Sequence, residues 1–417
     1  MNYKQLPWSQ IARACSIGCK FIILSLITAS GSSEIVADYA IGLSVAALGV
    51  YILGLELYYS YNRMYMSNNI YKTTKATIEH SRQLFSSYLL LILPFYLICT
   101  LIFNSELLIL AVILYTISEQ LNLEIYRYYA VSARYLFANM LLFLRSIAQV
   151  TLVAFFLSLA NQPSSESVFF LMAIAGAPFL AWHAFIKYKV NRILSKNNFF
   201  FDPRGLWSKF WQLKYIFIGA SIAAFVQVID KKSIELFLGT EAVAQYSILF
   251  MITMTCPVLV QQGRVLRSQQ VARKYFIEKD FQKLQQAIND YFKVLIVDLA
   301  ASVFIVLCAL FVFINITDSY STVDPRWLVG IFFGIAIVQS IQFFPHMIMY
   351  ISNLDMELAY TYICQNILSI IYFITAVQFL SLGNLVIGYF ILSIFCLIAR
   401  CYIAFFSLNK SIKKLRL

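Results

Sequence analysis

Long apolar segments alternate with short polar ones along the whole chain. A helix needs about 20 mostly apolar residues to cross a bilayer. Twelve segments meet that length, with limits at 11–30, 36–60, 84–103, 106–130, 135–159, 168–187, 211–230, 241–263, 292–315, 326–350, 358–380 and 384–408. The pattern predicts an all-α, polytopic membrane protein with twelve transmembrane helices.

A hexapeptide near the start of the chain recurs past its midpoint. Glu34-Ile-Val-Ala-Asp-Tyr39 and Glu241-Ala-Val-Ala-Gln-Tyr246 share four of six residues and lie 207 positions apart. Chance repetition of common residues is the competing interpretation. Self-similarity at half the length is typical of a duplicated transporter. We therefore predict two pseudo-symmetric six-helix halves, with an N-terminal lobe over 1–200 and a C-terminal lobe over 201–417.

The links between segments alternate in charge. Basic residues concentrate in 61–83, 187–214, 264–293 and the C-terminal tail, whereas the intervening links are short and mostly neutral or acidic. This is the positive-inside pattern, and it predicts that both termini are cytoplasmic. It also accounts for the net charge of +12 without nucleic acid as a partner. Segment 264–293 is predicted to form an amphipathic helix on the cytoplasmic surface.

Composition supports a membrane protein and excludes several kinds of site. The chain is 61% hydrophobic and 12% charged, compared with about 45–50% and about 25% in soluble domains. The eight cysteines lie inside or at the ends of apolar segments and predict packing positions rather than disulfides or a metal site. Neither a nucleotide-binding phosphate loop nor a catalytic Ser/His/Asp or Cys/His arrangement occurs in the sequence. We expect no enzyme activity and no cofactor.

Charged residues within the apolar segments are the candidate functional residues, because burying a charge in hydrocarbon is costly. Lys20, Arg145 and Arg400 outnumber Glu119 and Asp298. An excess of buried cations suits an anionic substrate such as a phosphate or diphosphate. The predicted substrate-binding cations are Arg13, Lys20, Arg145 and Arg264.

Two of these cations share one helix face. Arg13 and Lys20 are seven residues apart and are expected to lead an anion from the cytoplasmic rim towards the midplane. Glu119 and Asp298 are candidates for ion coupling or for pairing, and Glu119 has Arg145 as its expected partner. Glu56, near the inner end of the second segment, is expected to snorkel.

The repeated segment carries a resemblance to a known family. Asp230-Lys231 followed by Leu238-Gly239-x-Glu241-Ala-Val-Ala-x-Tyr246 resembles the D-x-x-x-[LI]…L-G-x-E-A-V-G-x-Y segment of Wzx-type polysaccharide flippases, in the multidrug/oligosaccharidyl-lipid/polysaccharide exporter superfamily. The first copy of the hexapeptide follows the first helix, as in that family, and Lys279-Asp280…Leu284 is similar too. Ala37 and Ala244 replace the usual glycine. We expect Asp230, Lys231 and Lys232 at the outer rim of the second half.

The resemblance implies a flippase of the bacterial inner membrane. Such a protein moves undecaprenyl-diphosphate-linked oligosaccharide units, for O-antigen in lipopolysaccharide or for capsule, to the outer leaflet by alternating access. Its expected partners are the lipid-linked oligosaccharide, membrane lipid and other polysaccharide-assembly proteins such as the polymerase.

Two other function classes stay open. A small-molecule or multidrug exporter of the same superfamily would be favoured by an acidic site with few cations. A membrane polymerase or glycosyltransferase needs a long outward loop, and the outward links here are short.

Overall fold

A computed structural model describes residues 6–29, 32–58, 61, 70–131, 135–160, 164–194, 201–260, 266–317, 326–352 and 354–416. Every regular element in these ranges is a helix. The chain divides into two compact units, Met1–Val228 and Ile229–Leu417. The predicted lobe boundary at residue 200 stays a prediction. Its Asp202 turn begins a helix, in which Asp202 Oδ1 accepts a hydrogen bond from the Gly205 amide at 3.0 Å.

The first unit contains helices α1 to α6 and most of α7. Their bounds are α1 Leu6–Ala29, α2 Ser33–Gly54, α3 Ile70–Ile102, α4 Glu106–Val131, α5 Tyr135–Leu159, α6 Ser165–Leu194 and α7 Pro203–Leu238. Helix α1 packs mainly against α5, and α4 packs mainly against α6. Helix α2 is the most enclosed, because α3, α4 and α6 all contact it.

The second unit begins within α7 and contains eight further helices. They are α8 Thr240–Thr253, α9 Thr255–Val260, α10 Leu266–Ile277, α11 Phe281–Thr317, α12 Arg326–Ile341, α13 Phe343–Ile351, α14 Asp355–Ala376 and α15 Leu382–Arg416. The pairs α8/α9 and α12/α13 each cover one predicted span. Within the described residues each of the twelve predicted spans overlaps a helix, although the second helix ends at Gly54, before the predicted limit at residue 60.

The outward faces of these helices are apolar. Ten helices in the described residues are long and apolar enough to cross a membrane, and Gly18–Ala29 and Ser165–Ala181 are shorter apolar stretches. On α3, Leu93 and Leu101 are 63% and 86% exposed. A soluble protein would bury such a row, whereas hydrocarbon solvates it. The protein is therefore a multi-pass membrane protein.

The two copies of the repeated hexapeptide occupy equivalent places. Each begins a helix, α2 or α8, with an exposed glutamate in the first turn. Tyr39 and Tyr246 are both buried, and each packs on a phenylalanine of its own unit, Phe169 or Phe332. The helix pairing also repeats: α2 packs on α3 and α4, as α9 packs on α11 and α12. The predicted internal repeat is confirmed.

The amphipathic segment 264–293 folds differently from the prediction of one surface helix. Helix α10 ends at Ile277, and Lys279 adopts a left-handed conformation with φ of 57°. Asp280 then caps α11 by accepting a hydrogen bond from the Lys283 amide at 3.1 Å. Residues 281–293 are thus the first turns of a helix that continues into the ninth span. The spacing of apolar residues does not distinguish a surface helix from the first turns of a spanning helix, because both bury the same apolar face.

Two glycines let neighbouring helices approach α2 closely. A Cβ at Gly49 would lie 2.6 Å from Thr116 Cγ2 on α4 and 2.8 Å from Phe95 Cε1 on α3. Gly42 is similarly close to the Phe169 ring on α6. Small residues at helix contacts allow the dispersion packing that holds membrane helices together.

Gly49→Ala is expected to lower the free energy of unfolding by about 1–3 kcal/mol, because the added methyl overpacks the α2 interface. The measurement is the unfolding midpoint of the purified protein in detergent. Gly18→Ala is the matched control, since a Cβ there has no atom within 4 Å. A loss of stability no larger than that of Gly18→Ala would contradict the close packing of α2.

Candidate functional site

A buried ion pair lies at the centre of the first unit. Arg145 on α5 is 4% exposed, and its two terminal nitrogens meet the two carboxylate oxygens of Glu119 on α4 at 3.0 and 3.1 Å. The Nη2 contact with Oε1 is a hydrogen bond, and the Nη1 contact with Oε2 is a close ionic contact. Helices α4 and α5 are consecutive in the chain and pack against each other, which brings the two side chains together. The pair neutralises the cation predicted to bind an anionic substrate.

A small cleft opens beside this pair. Arg145, Asn122, Tyr126 and Tyr129 line it together with apolar side chains of α4, α5 and α6. Tyr129 also packs edge-on against Phe137, with ring centroids 4.8 Å apart. The enclosed space is about 10 Å³, roughly the room that one water molecule needs, so a substrate would contact the mouth of the cleft rather than fill it. The cleft is the candidate substrate surface of this unit.

The other predicted binding cations are placed differently. Lys20 is exposed on α1 rather than buried within the unit. One turn before it, Ser16 bonds to Ser146 at 2.8 Å, which brings that face of α1 against α5 beside Arg145. Arg264 and the side chain of Arg13 lie outside the described residues. Asp298 is half-buried on α11, in the second unit.

A second polar cluster closes the end of α2. Leu55 and Glu56 both have left-handed backbone conformations, with φ of 47° and 53°, and they turn the chain sharply after Gly54. Glu56 is therefore buried, at 5% exposure, and its Oε2 atom has no hydrogen-bond partner. The expectation that Glu56 snorkels is wrong, because the turn directs it inward.

The charges near Glu56 come from α3 and α4. Glu124 accepts a hydrogen bond from Arg127 at 2.9 Å and lies 3.4 Å from His80 Nε2. The Arg127 guanidinium also lies over the Tyr58 ring, 3.8 Å from its centroid. Burial raises the pKa of Glu56 to about 7, with Arg127 opposing that rise and Glu124 adding to it.

Raising the pH from about 4.3 to about 7 is expected to destabilise the protein through Glu56. The folded chain holds a proton on Glu56 up to about pH 7, whereas the unfolded chain loses it at about pH 4.3. This stabilisation is complete below the unfolded pKa and is lost as the pH rises through the folded pKa. The loss amounts to at most about 4 kcal/mol.

Glu56→Gln removes the titrating group and keeps its shape. The slope of unfolding free energy against pH, measured in detergent across this window, should be shallower in Glu56→Gln than in the wild type. Equal slopes in the two proteins would show that Glu56 titrates normally.

The second unit has its own buried ionic cluster. Asp230 and Lys231 on α7 are each 2% exposed, with Lys231 Nζ 3.3 Å from Asp230 Oδ1. Tyr246 on α8 donates a hydrogen bond to Asp230 Oδ2 at 2.9 Å. The expectation that Asp230 and Lys231 lie at the outer rim is wrong. Helix α7 continues to Leu238, so its end is about 12 Å beyond Asp230.

Residues of the Asp230 to Tyr246 motif contact one another in the structure. Asp230 and Tyr246, the first and last residues of the motif, are direct partners. The Lys231 ammonium also lies 5.0 Å from the centre of the Phe250 ring. The hydrogen bond from Tyr246 to the buried Asp230 carboxylate holds α8 against α7. This contact gives a structural reason for the presence of both residues in the motif.

Solved structures share this architecture over nearly the full chain. An inward-facing multidrug resistance MATE family transporter of the MOP superfamily superposes with a TM-score of 0.63 at 14% identity, covering 97% of this chain and 96% of the other. The chain has the MATE transporter fold. An outward-facing transporter of the same description gives 0.59 at 12% identity, with 98% and 96% covered. A point mutant of the Vibrio cholerae MATE transporter VcmN gives 0.57 at 12%, with 99% and 96% covered.

The MATE fold consists of twelve helices in two halves, so the predicted fold class is confirmed. No family profile matches the sequence, and no curated protein does. At 12–14% identity, the likeness is one of fold. The Wzx-type specificity is a separate question of substrate.

Proposed function

We propose that the protein is an exporter of the MOP superfamily that works by alternating access, with small organic molecules as its first candidate substrates. The supporting observation is the likeness, across 97–98% of the chain, to multidrug transporters captured facing inward and facing outward. A fold seen in both states in similar proteins can supply the rocking motion that alternating access needs.

The charges of the first unit fit this proposal. Arg145 is neutralised by Glu119 beside a cleft lined by Tyr126 and Tyr129. A surface without net charge and with aromatic faces accepts flat organic molecules through stacking and apolar contact. The similar structures are those of transporters, and we propose that this chain carries its substrate unchanged.

A lipid-linked oligosaccharide is the second candidate substrate. Two observations favour it: the Asp230 to Tyr246 motif resembles that of Wzx-type flippases, and Arg400 in the second unit carries a buried positive charge without a described carboxylate partner. Under this proposal the chain moves O-antigen or capsule units across a bacterial inner membrane, with the diphosphate as the recognised group and the polymerase as a partner.

One paired experiment separates the two substrates. Bacteria depleted of drug exporters and expressing the chain are expected to accumulate less of a fluorescent organic cation than cells with an empty vector. In the native cells, deletion of the gene is expected to leave lipid-linked oligosaccharide in the outer leaflet unchanged. Loss of outer-leaflet oligosaccharide with unchanged dye accumulation would instead support the flippase.

Glu119→Gln serves as the internal variant in the dye assay. It removes one charge of the pair at the cleft and leaves Arg145 positive, so we expect weaker export of a cationic dye because of charge repulsion. Protein level must be matched by immunoblot. Equal export by the variant and the wild type would contradict a role for this cleft in binding.

A further inference from the structure

Arg400 is a buried cation in the second unit. It lies on α15 within the span Leu382–Leu408 and is 2% exposed. Its Nη1 atom donates to Gln342 Oε1 at 3.0 Å, and its guanidinium lies over the Tyr362 ring at 3.7 Å from the centroid. These neighbours are neutral, and no described carboxylate forms an ion pair with Arg400. A charge held in this way at membrane depth is costly.

The polar atoms around Arg400 that lack a hydrogen-bond partner include three donor nitrogens. Its Nε and Nη2 atoms are buried and have no acceptor, and neither does the Nε2 atom of Gln342. Arg400 and Gln342 are already joined through the amide oxygen, so these three donors belong to one cluster. All three need acceptors, and the local charge is positive. Arg145 in the first unit differs in charge, because the Glu119 carboxylate lies 3.0 Å from its Nη1 atom and neutralises it.

The residues of this cluster lie at one level of the bundle. Gln342 is nine residues before the end of α13, Tyr362 is seven residues into α14, and Arg400 is eight residues before Leu408. Since α13 ends where α14 begins, these distances all run from the same membrane face. At 1.5 Å per residue each is about 10–14 Å. All three side chains therefore lie at a similar depth from that face.

The local backbone and a second hydrogen bond hold the cluster in shape. Helix α12 ends at Ile341 and α13 begins at Phe343, so Gln342 sits at a break between them. Pro345 has no amide proton and prevents one regular helix from running through this point. The Tyr362 hydroxyl lies 3.1 Å from His346 Nδ1, which fixes the ring that supports the guanidinium. A cation preorganised on an aromatic face loses little entropy when it binds an anion.

We propose that Arg400 and Gln342, supported by Tyr362, form a binding site for a phosphate-class oxyanion in the second unit. Two guanidinium donors present the fork that matches two phosphate oxygens, and the Gln342 amide offers a third donor. The proposal does not depend on which of the two candidate substrates is transported, because a free phosphate and the phosphate headgroup of a lipid offer the same contacts.

Binding to the purified full-length chain tests the site. The protein is placed in phosphatidylcholine nanodiscs and titrated with inorganic pyrophosphate, with farnesyl diphosphate and with farnesol, at constant ionic strength. We expect saturable thermal stabilisation by both diphosphates and none by farnesol. Tighter binding of farnesyl diphosphate identifies a lipid headgroup as the preferred source, and equal binding identifies a free anion.

Variants assign the binding to this cluster. Arg400→Met is expected to weaken diphosphate binding at least about tenfold, and Arg400→Lys to weaken it less, since a lysine keeps the charge and loses the fork. Arg400→Met is also expected to raise the unfolding temperature of the ligand-free protein, because it removes an unpaired buried charge. Gln342→Met provides a second variant with weaker binding if Arg400→Met does not fold.

Arg273→Met is the matched control. Arg273 also donates to a tyrosine hydroxyl and lies over the ring, that of Tyr350 at 4.6 Å, but it is only half-buried. Its replacement should leave diphosphate binding unchanged. The proposal is overturned if neither diphosphate stabilises the wild type in a saturable way, or if Arg400→Met and Arg273→Met bind diphosphate equally.

Discussion

Replacing Glu119 with leucine is expected to lower the free energy of unfolding by about 3–5 kcal/mol, because it leaves Arg145 charged and buried without its partner. The expected size follows from burial and pairing: Arg145 is 4% exposed, its Nη2 atom donates a hydrogen bond to Glu119, and its Nη1 atom lies 3.0 Å from the other carboxylate oxygen. The measurement is unfolding of the purified protein in mixed micelles, followed by helical circular dichroism.

A double-mutant cycle separates the interaction energy between Glu119 and Arg145 from the contribution of each side chain alone. Arg145→Met is expected to be destabilising as well, since the carboxylate then loses its cation. The double variant Glu119→Leu with Arg145→Met is expected to be more stable than either single variant, because two apolar side chains replace two uncompensated charges. Additive losses in the double variant would mean that the two residues act separately.

Replacing Asp230 with leucine is expected to cost a similar amount, about 3–5 kcal/mol. Asp230 holds two partners in the second unit: the Lys231 ammonium at 3.3 Å and the Tyr246 hydroxyl at 2.9 Å. Without the carboxylate, Lys231 keeps its charge at 2% exposure. The same micelle unfolding assay measures the loss.

Tyr246→Phe is the matched control for Asp230. It removes one hydroxyl and keeps the ring that packs on Phe332 and Phe373. The expected loss is about 1–3 kcal/mol, set by one buried hydrogen bond to a charged group. A cost for Asp230→Leu no greater than that for Tyr246→Phe would show that Lys231 finds other solvation, and would refute the ionic role of Asp230.

The spans and the repeat were predictable because physics constrains them strongly. The thickness of the hydrocarbon region fixes the length of each apolar segment, and in the part of the chain that the structure describes a helix overlaps each of the twelve. The repeated hexapeptide was recognisable because its matching residues occupy the same structural environment in both copies. Tyr39 and Tyr246 are both buried, and Glu34 and Glu241 are both exposed in a first helical turn.

The state of each charge was harder to predict, because it depends on contacts between distant residues. Hydropathy predicted that Lys20 and Arg145 are both buried cations. In the structure Lys20 is exposed, whereas Arg145 is buried and paired with Glu119. Lys231 and Lys232 were expected at the outer rim, although the helix continues past them for nearly two turns. Glu56 was misplaced since two left-handed residues, which sequence does not mark, turn the chain inward.

The unbroken run of α11 has a mechanical consequence. From Phe281 to Asn315 it contains 35 residues, or about 52 Å at 1.5 Å per residue, whereas the hydrocarbon region is about 30 Å thick. About 20 Å of the helix therefore stands outside the hydrocarbon, with α10 packed against it. That projecting part acts as a lever arm, because no joint separates it from the span. We expect a displacement of α10 at the surface to move the membrane span of α11 with it.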